Sequence, residues 1–222
     1  MLAGLGGEVQ RTMSIVMALL APAWIGCASR QAPASFVKHY VELHRSRDID
    51  GLLALHANDA EFMIPGQETI RGMEALRDLL EWDAVLETEL TMAGISADGD
   101  TIFIDSLVER NKWFQAIGLP EVRYRSGTRI VLRGGRIVGT YPAPFDDDTQ
   151  QRLRDRFEAL VQWLREYRRD ALEQLLPGGK FRYNAASARR WLEVLAEWNK
   201  SQRLEIRHGF TVDDAAMSRE PG

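Results

Sequence analysis

Apolar positions first recur with helical spacing just after residue 35. Phe36, Tyr40 and Leu43, with Val37 and Val41 beside them, mark one face of a helix in "ASFVKHYVELHRSRD", and Ser35 is its cap. Leu52, Leu53 and Leu55 predict a short second helix in "DIDGLLALHANDA". "AEFMIPG" reads as a short strand stopped by Pro65-Gly66. Met73, Leu76, Leu80 and Trp82 are the inward positions of a third helix, "GMEALRDLLEWD".

Beyond that helix the period falls to two. "VLETELTMAGI", "TIFIDSLVERNKWF", "EVRYRSGTRIVL" and "IVGTYPA" predict strands. Asp98 to Asp100 is a turn signal, and Gly134-Gly135 suits a two-residue hairpin. Helices followed by a meander indicate an α+β class, with helices on one face of a curved antiparallel sheet. From Asp146 the helical period returns. Phe157, Leu160, Val161, Leu164, Ala171, Leu172 and Leu175 form a stripe that ends at Pro177-Gly178-Gly179. Trp191, Leu192, Leu195 and Trp198 form another. The pair predicts a C-terminal helical hairpin, which packs on the sheet domain or joins copies of the chain.

The first residues have a different character. Thr12 to Ser29 carries no charge and lies between Arg11 and Arg30, with Pro22 inside it. The run is short for a membrane span, which needs about 20 apolar residues, and it suits an export leader. "WIGC" (Trp24 to Cys27) resembles a bacterial lipobox, which would make Cys27 the lipidation site. Cleavage after Ala23 and an uncleaved anchor are the alternatives. The expected divisions are therefore a leader or anchor at 1–27, a tether at 28–34, a folded domain at 35–145 and a helical extension at 146–222. Each alternative places the folded part outside the cytoplasm of a bacterium, periplasmic or membrane-anchored.

Composition excludes several classes. The net charge is −4 with no basic block, so nucleic acid has no electrostatic foothold. One cysteine rules out an internal disulfide or a multi-cysteine metal site. His39 and His44 share no ligand-ready helical face, so no metal is expected, and no phosphate or dinucleotide motif implies a cofactor.

"HANDAEFMIPGQETIRGMEAL" and "LRGGRIVGTY" resemble the opening and closing segments of the SnoaL-like branch of the nuclear-transport-factor-2-like superfamily. That resemblance implies a cone-shaped sheet wrapping helices around a pocket, in a family holding isomerases, epoxide hydrolases, cyclases and non-enzymes. It also supplies a catalytic template. Limonene-type epoxide hydrolases use an acid–Arg–acid trio with a Tyr and an Asn. Arg110 matches the Arg, but Lys112 and Pro142 stand where the acids belong, and Phe62 and Ile64 fall near the Tyr and Asn positions. Ile64 also stands where a ketosteroid-isomerase base would sit.

Strand alternation divides "TIFIDSLVERNK" into two rows. The row Ile104, Ser106, Val108, Arg110 and Lys112 is expected to face the pocket, and the row with Asp105 and Glu109 to face outward. Tyr40, Phe62, Ile64, Val108, Arg110 and Lys112 are then the expected ligand contacts. They suit a small, partly apolar molecule with an anionic or polar head. An alternative is a lyase, isomerase or hydrolase using Glu109 or Asp105. A third is a scaffold acting through its tryptophan-rich tail, with self-association.

Overall fold

The computed structural model describes residues 32–213. The expected leader, its Cys27 and the cut after Ala23 lie outside the described residues. Among the described residues no helix is long and apolar enough to cross a membrane.

The chain begins with α1 (Pro33–Ser46) and α2 (Ile49–Ala54). Asp48 caps α2 by accepting the Gly51 N–H at 2.8 Å. "HANDA", expected to continue this helix, is instead the start of β1 (His56–Phe62). The Ile137 N–H donates to the Leu55 carbonyl at 2.8 Å, so the last strand captures the chain directly after α2. Next come β2 (Ile70–Arg71), α3 (Met73–Leu86), β3 (Glu89–Asp98) and β4 (Thr101–Arg110). The strand expected to run on to Phe114 stops there. The extended Asn111 accepts the Phe114 N–H at 2.8 Å and opens the short helix α4 (Lys112–Ala116). "EVRYRSGTRIVL" is divided into β5 (Val122–Arg123) and β6 (Thr128–Arg133), and β7 (Arg136–Tyr141) closes the hairpin. Gly127, at φ +108°, lies in the break.

The strands form one sheet in the order β2-β1-β7-β6-β4-β3, with β5 paired to β4. Most neighbours are antiparallel, but β1 and β7 run parallel. The expected cone of antiparallel strands is therefore corrected: the sheet is mixed and open, not closed or strongly curved. The parallel pair joins the first and last strands. Alternation fixes the faces of each strand but carries no information on direction or on distant neighbours.

The expected long C-terminal helix breaks at Arg168 (φ −143°, ψ 51°) into α5 (Asp147–Tyr167) and α6 (Arg169–Leu175). A 3₁₀ turn at Pro177–Gly179 leads to α7 (Ala185–Asp213). Two apolar clusters result. One, mainly aliphatic, joins α1, α2 and α3 to the sheet through Leu52, Leu76, Ile104 and Ile130. The other is rich in rings. Trp113, Phe181 and Trp191 meet there, with Trp82 also touching Phe181, at centroid separations of 5.3–6.3 Å. Edge-to-face and offset contacts of this kind add to the burial term. The C-terminal helices thus pack against α3 and α4.

Candidate active site

A cavity of about 430 Å³ lies between these clusters. That size suits a small organic molecule. Its walls are mostly aliphatic and aromatic, and two carboxyl groups enter it, Asp83 and Glu109.

Asp83 arrives on α3. Leu76, Leu80 and Asp83 follow one helical face, so the stripe that buries the leucines also carries the carboxyl inward. Its Oδ1 accepts the Thr88 hydroxyl at 3.1 Å. Burial, reinforced by the nearby Glu109, raises its pKa from 3.8 to about 8.

Glu109 arrives on β4 through a change of parity. Ile102 and Ile104 are buried, Asp105 and Ser106 are both exposed, and Leu107, Glu109, Asn111 and Trp113 then turn inward. Gly94 lies across from Asp105 at φ +66°, where an added Cβ would come within 2.7 Å of the Asp105 Cβ. Only glycine takes that conformation so close to a neighbouring chain. Glu109 accepts hydrogen bonds from the Tyr124 hydroxyl at 2.6 Å and from Asn111 Nδ2 at 2.8 Å. Burial raises its pKa, while these two donors pull it back. Asn111 thus holds Glu109 with its amide nitrogen and caps α4 with its amide oxygen. Desolvation and the two carboxyls raise the pKa of Tyr40, Tyr124 and Tyr183, so all three hydroxyls keep their protons.

Two histidines also line the cavity. The His56 Nδ1 lies 2.8 Å from the Leu52 carbonyl, which fixes the proton there and leaves Nε2 as an acceptor. Burial lowers the pKa of His44 to about 4, with His56 adding to the effect, and burial also lowers that of His56. Both rings are neutral near pH 7. Neither Nε2 has a partner among the described residues, nor do Trp113 Nε1 and Thr140 Oγ1 on the same walls. Among the described residues no group of His, Asp and Glu is placed to hold a metal ion.

Of the expected contacts, Tyr40, Phe62 and Ile64 stand on the cavity wall. Val108, Arg110 and Lys112 do not. After the parity change this row faces away from the cavity. Arg110 is exposed and pairs with Glu121 at 2.8 Å, and Lys112 pairs with Glu87 at 2.5 Å. Asp105 is exposed as well. Asp83, Asn111, Tyr124 and Tyr183 were not singled out in the sequence. For Asp83 there was a signal, a carboxyl on the apolar stripe of its helix. Tyr124 and Tyr183 reach the site by tertiary packing alone.

Residues 37–140 match the family profile described as a SnoaL-like domain, so this part of the chain is similar to SnoaL-like domains. The matched stretch ends before α5. No curated protein matches the chain. Solved structures with similarity include SalBIII, an epoxide hydrolase/cyclase-like enzyme of pyran-ring formation in salinomycin. It is 16% identical, with 55% of this chain and 95% of that one covered at a TM-score of 0.47. An LEH-like epoxide hydrolase of M. tuberculosis is 22% identical over 57% and 92% of the two chains, at 0.45. An NTF2-like protein of Burkholderia xenovorans is 24% identical over 56% and 96%, at 0.43.

Proposed function

We propose that the protein is an acid–base enzyme of the isomerase, lyase or hydrolase type, acting on a small, largely apolar molecule that carries oxygen. The observation behind this is the pairing of Asp83 and Glu109 in one apolar cavity with different hydrogen-bond surroundings. Two carboxyls in low dielectric share their charge unevenly. Glu109 has two donors, which favour its ionised form. Asp83 has only the longer Thr88 contact and keeps its proton to about pH 8. Glu109 is then the base and Asp83 the acid. Divergent environments for two titratable groups are how one site holds both roles near neutrality.

In such a site Glu109 removes a proton from a carbon beside a carbonyl, or from a water. Asp83 donates its hydrogen bond or proton to the substrate oxygen on which negative charge develops. The apolar walls bind the remaining substrate and strengthen both interactions by excluding water.

The test uses the full chain with a panel of apolar epoxides, enones and β-hydroxy ketones, with products followed by mass spectrometry. Turnover of at least one class is expected. It should fall about 10²–10⁴-fold in Glu109→Gln and in Asp83→Asn. The wild-type rate should also decline above about pH 8, as Asp83 loses its proton. Turnover that stays within twofold in both variants, or an unreactive panel, counts against the assignment.

We further propose that residues 1–27 are an export leader with Cys27 as its lipid site. The uncharged run from Thr12 to Ser29 between Arg11 and Arg30 supports this. Fractionation of Cys27→Ser tests it, with loss of membrane association and of the lipid mass expected.

A further inference from the structure

The cavity wall is not confined to the matched domain. Helix α5 contributes Gln150, Leu153, Arg154 and Phe157, which are one face of a helix at spacings of three and four. The face is divided by character. Leu153 and Phe157 are half-buried and continue the apolar wall, while Gln150 and Arg154 are exposed at its rim. Arg154 is the one lysine or arginine among the described residues that line the cavity, and it makes no ion pair or hydrogen bond with any described residue. The arginines next to Glu109 and Tyr124 in sequence are committed elsewhere: Arg110 and Arg123 both pair with Glu121.

We propose that the C-terminal extension supplies a head-group subsite, in which Arg154 and Gln150 hold the carboxylate of an otherwise apolar substrate. The inference rests on the cavity being the substrate site and extends it to a substrate class. A guanidinium fork and an amide one helical turn away can together donate to both oxygens of a carboxylate. One positive charge matches a monoanion better than a phosphate dianion. The subsite also sets the direction of binding. The anionic end is drawn to the rim by Arg154, because inside it would meet Glu109. The uncharged end is left against Glu109 and Asp83. The anion-binding role expected of Arg110 and Lys112 passes to a different element, outside the SnoaL-like segment.

Matched probes test this: 1-naphthylacetate with 1-naphthylacetamide, and decanoate with decanamide, titrated calorimetrically into the full chain. The wild type should bind the acids about tenfold more tightly than the amides, a ratio equivalent to one strong charged contact. Arg154→Gln should abolish the preference by weakening the acids alone. Gln150→Ala should reduce it about twofold to threefold. Glu109→Gln should keep the preference while it removes turnover. A preference that survives Arg154→Gln, or equal affinities in the wild type, overturns the subsite but not the acid–base assignment. Failure of the wild type to bind any of the four probes overturns the subsite. Turnover lost in Arg154→Gln with an unchanged acid preference also overturns it.

Discussion

The cavity wall and the surface beside the end of β4 place like residues in opposite conditions. Outside, Glu121 lies between Arg110 and Arg123, and Glu87 faces Lys112; these cations hold both carboxyls below their ordinary pKa. Inside, Glu109 and Asp83 pair with no cation among the described residues, and burial drives both upward. Glu109 and Arg110 are sequence neighbours, so the contrast arises across one peptide unit. Charge at the surface is screened and adds little to stability. The same group in an apolar wall acquires a pKa suited to proton transfer, at a cost in stability.

The contrast can be broken from the inside, and the largest effect is expected at Asp83. A carboxyl with a raised folded-state pKa binds more protons in the folded chain. Stability is therefore lost as pH rises from about 3.8 to about 8. Asp83→Asn keeps the shape and removes that loss. Its melting temperature should match the wild type at pH 4 and exceed it at pH 8.5, by on the order of 3 kcal/mol or about 6–10 °C. Equal melting temperatures at pH 8.5 would mean that Asp83 is not desolvated.

His44 gives the opposite slope. Its folded-state pKa is lowered from 6.5 to about 4, so the unfolded chain binds the proton more readily and stability is lost as pH falls through this window. His44→Phe keeps a ring against Tyr40. It should flatten the decline between pH 6.5 and 4 by on the order of 2 kcal/mol in urea unfolding. Asn111→Ala removes one donor from Glu109 and the cap of α4 together, and should cost about 1–2 kcal/mol at pH 7. The outer face should give the smallest response. Arg110→Ala should leave the urea midpoint unchanged within error, at low and high salt alike, and leave turnover intact.

Much of the frame was legible before any coordinates. Helical spacing located α1, α3 and the apolar stripes of α5 and α7, because each has one buried face. The hairpin at Gly134-Gly135 followed from turn chemistry. Strand direction was not legible. β1 and β7 pair across most of the domain, and neither alternation nor turns report such a contact. The site was lost at one point on β4. Alternation from Ile104 placed Arg110 and Lys112 inside, but the two successive exposed residues Asp105 and Ser106 reversed the rows. The visible trace of this reversal lies on the opposite strand, at Gly94. Tyr40, Phe62 and Ile64 stand before that reversal; the helical period of α1 placed Tyr40, and the family resemblance placed Phe62 and Ile64.

The parallel pairing of β1 with β7 bears on the time at which the protein can fold. β3 and β4 are joined by a tight turn and can pair as soon as both leave the ribosome. β1 must wait for residues 136–141, and the contacts that secure it, Arg133 with Asp59 and Tyr141 with Glu61, are separated by 74 and 80 residues. Closing so long a loop is entropically slow, and sheets dominated by distant pairs fold late. Until then the β1 edge and its apolar face are open to other nascent chains. A chain truncated just before Arg136 keeps every residue of the acid–base pair. It should nevertheless accumulate in aggregates during synthesis, whereas the full chain has a brief exposure that ends when its last strand arrives.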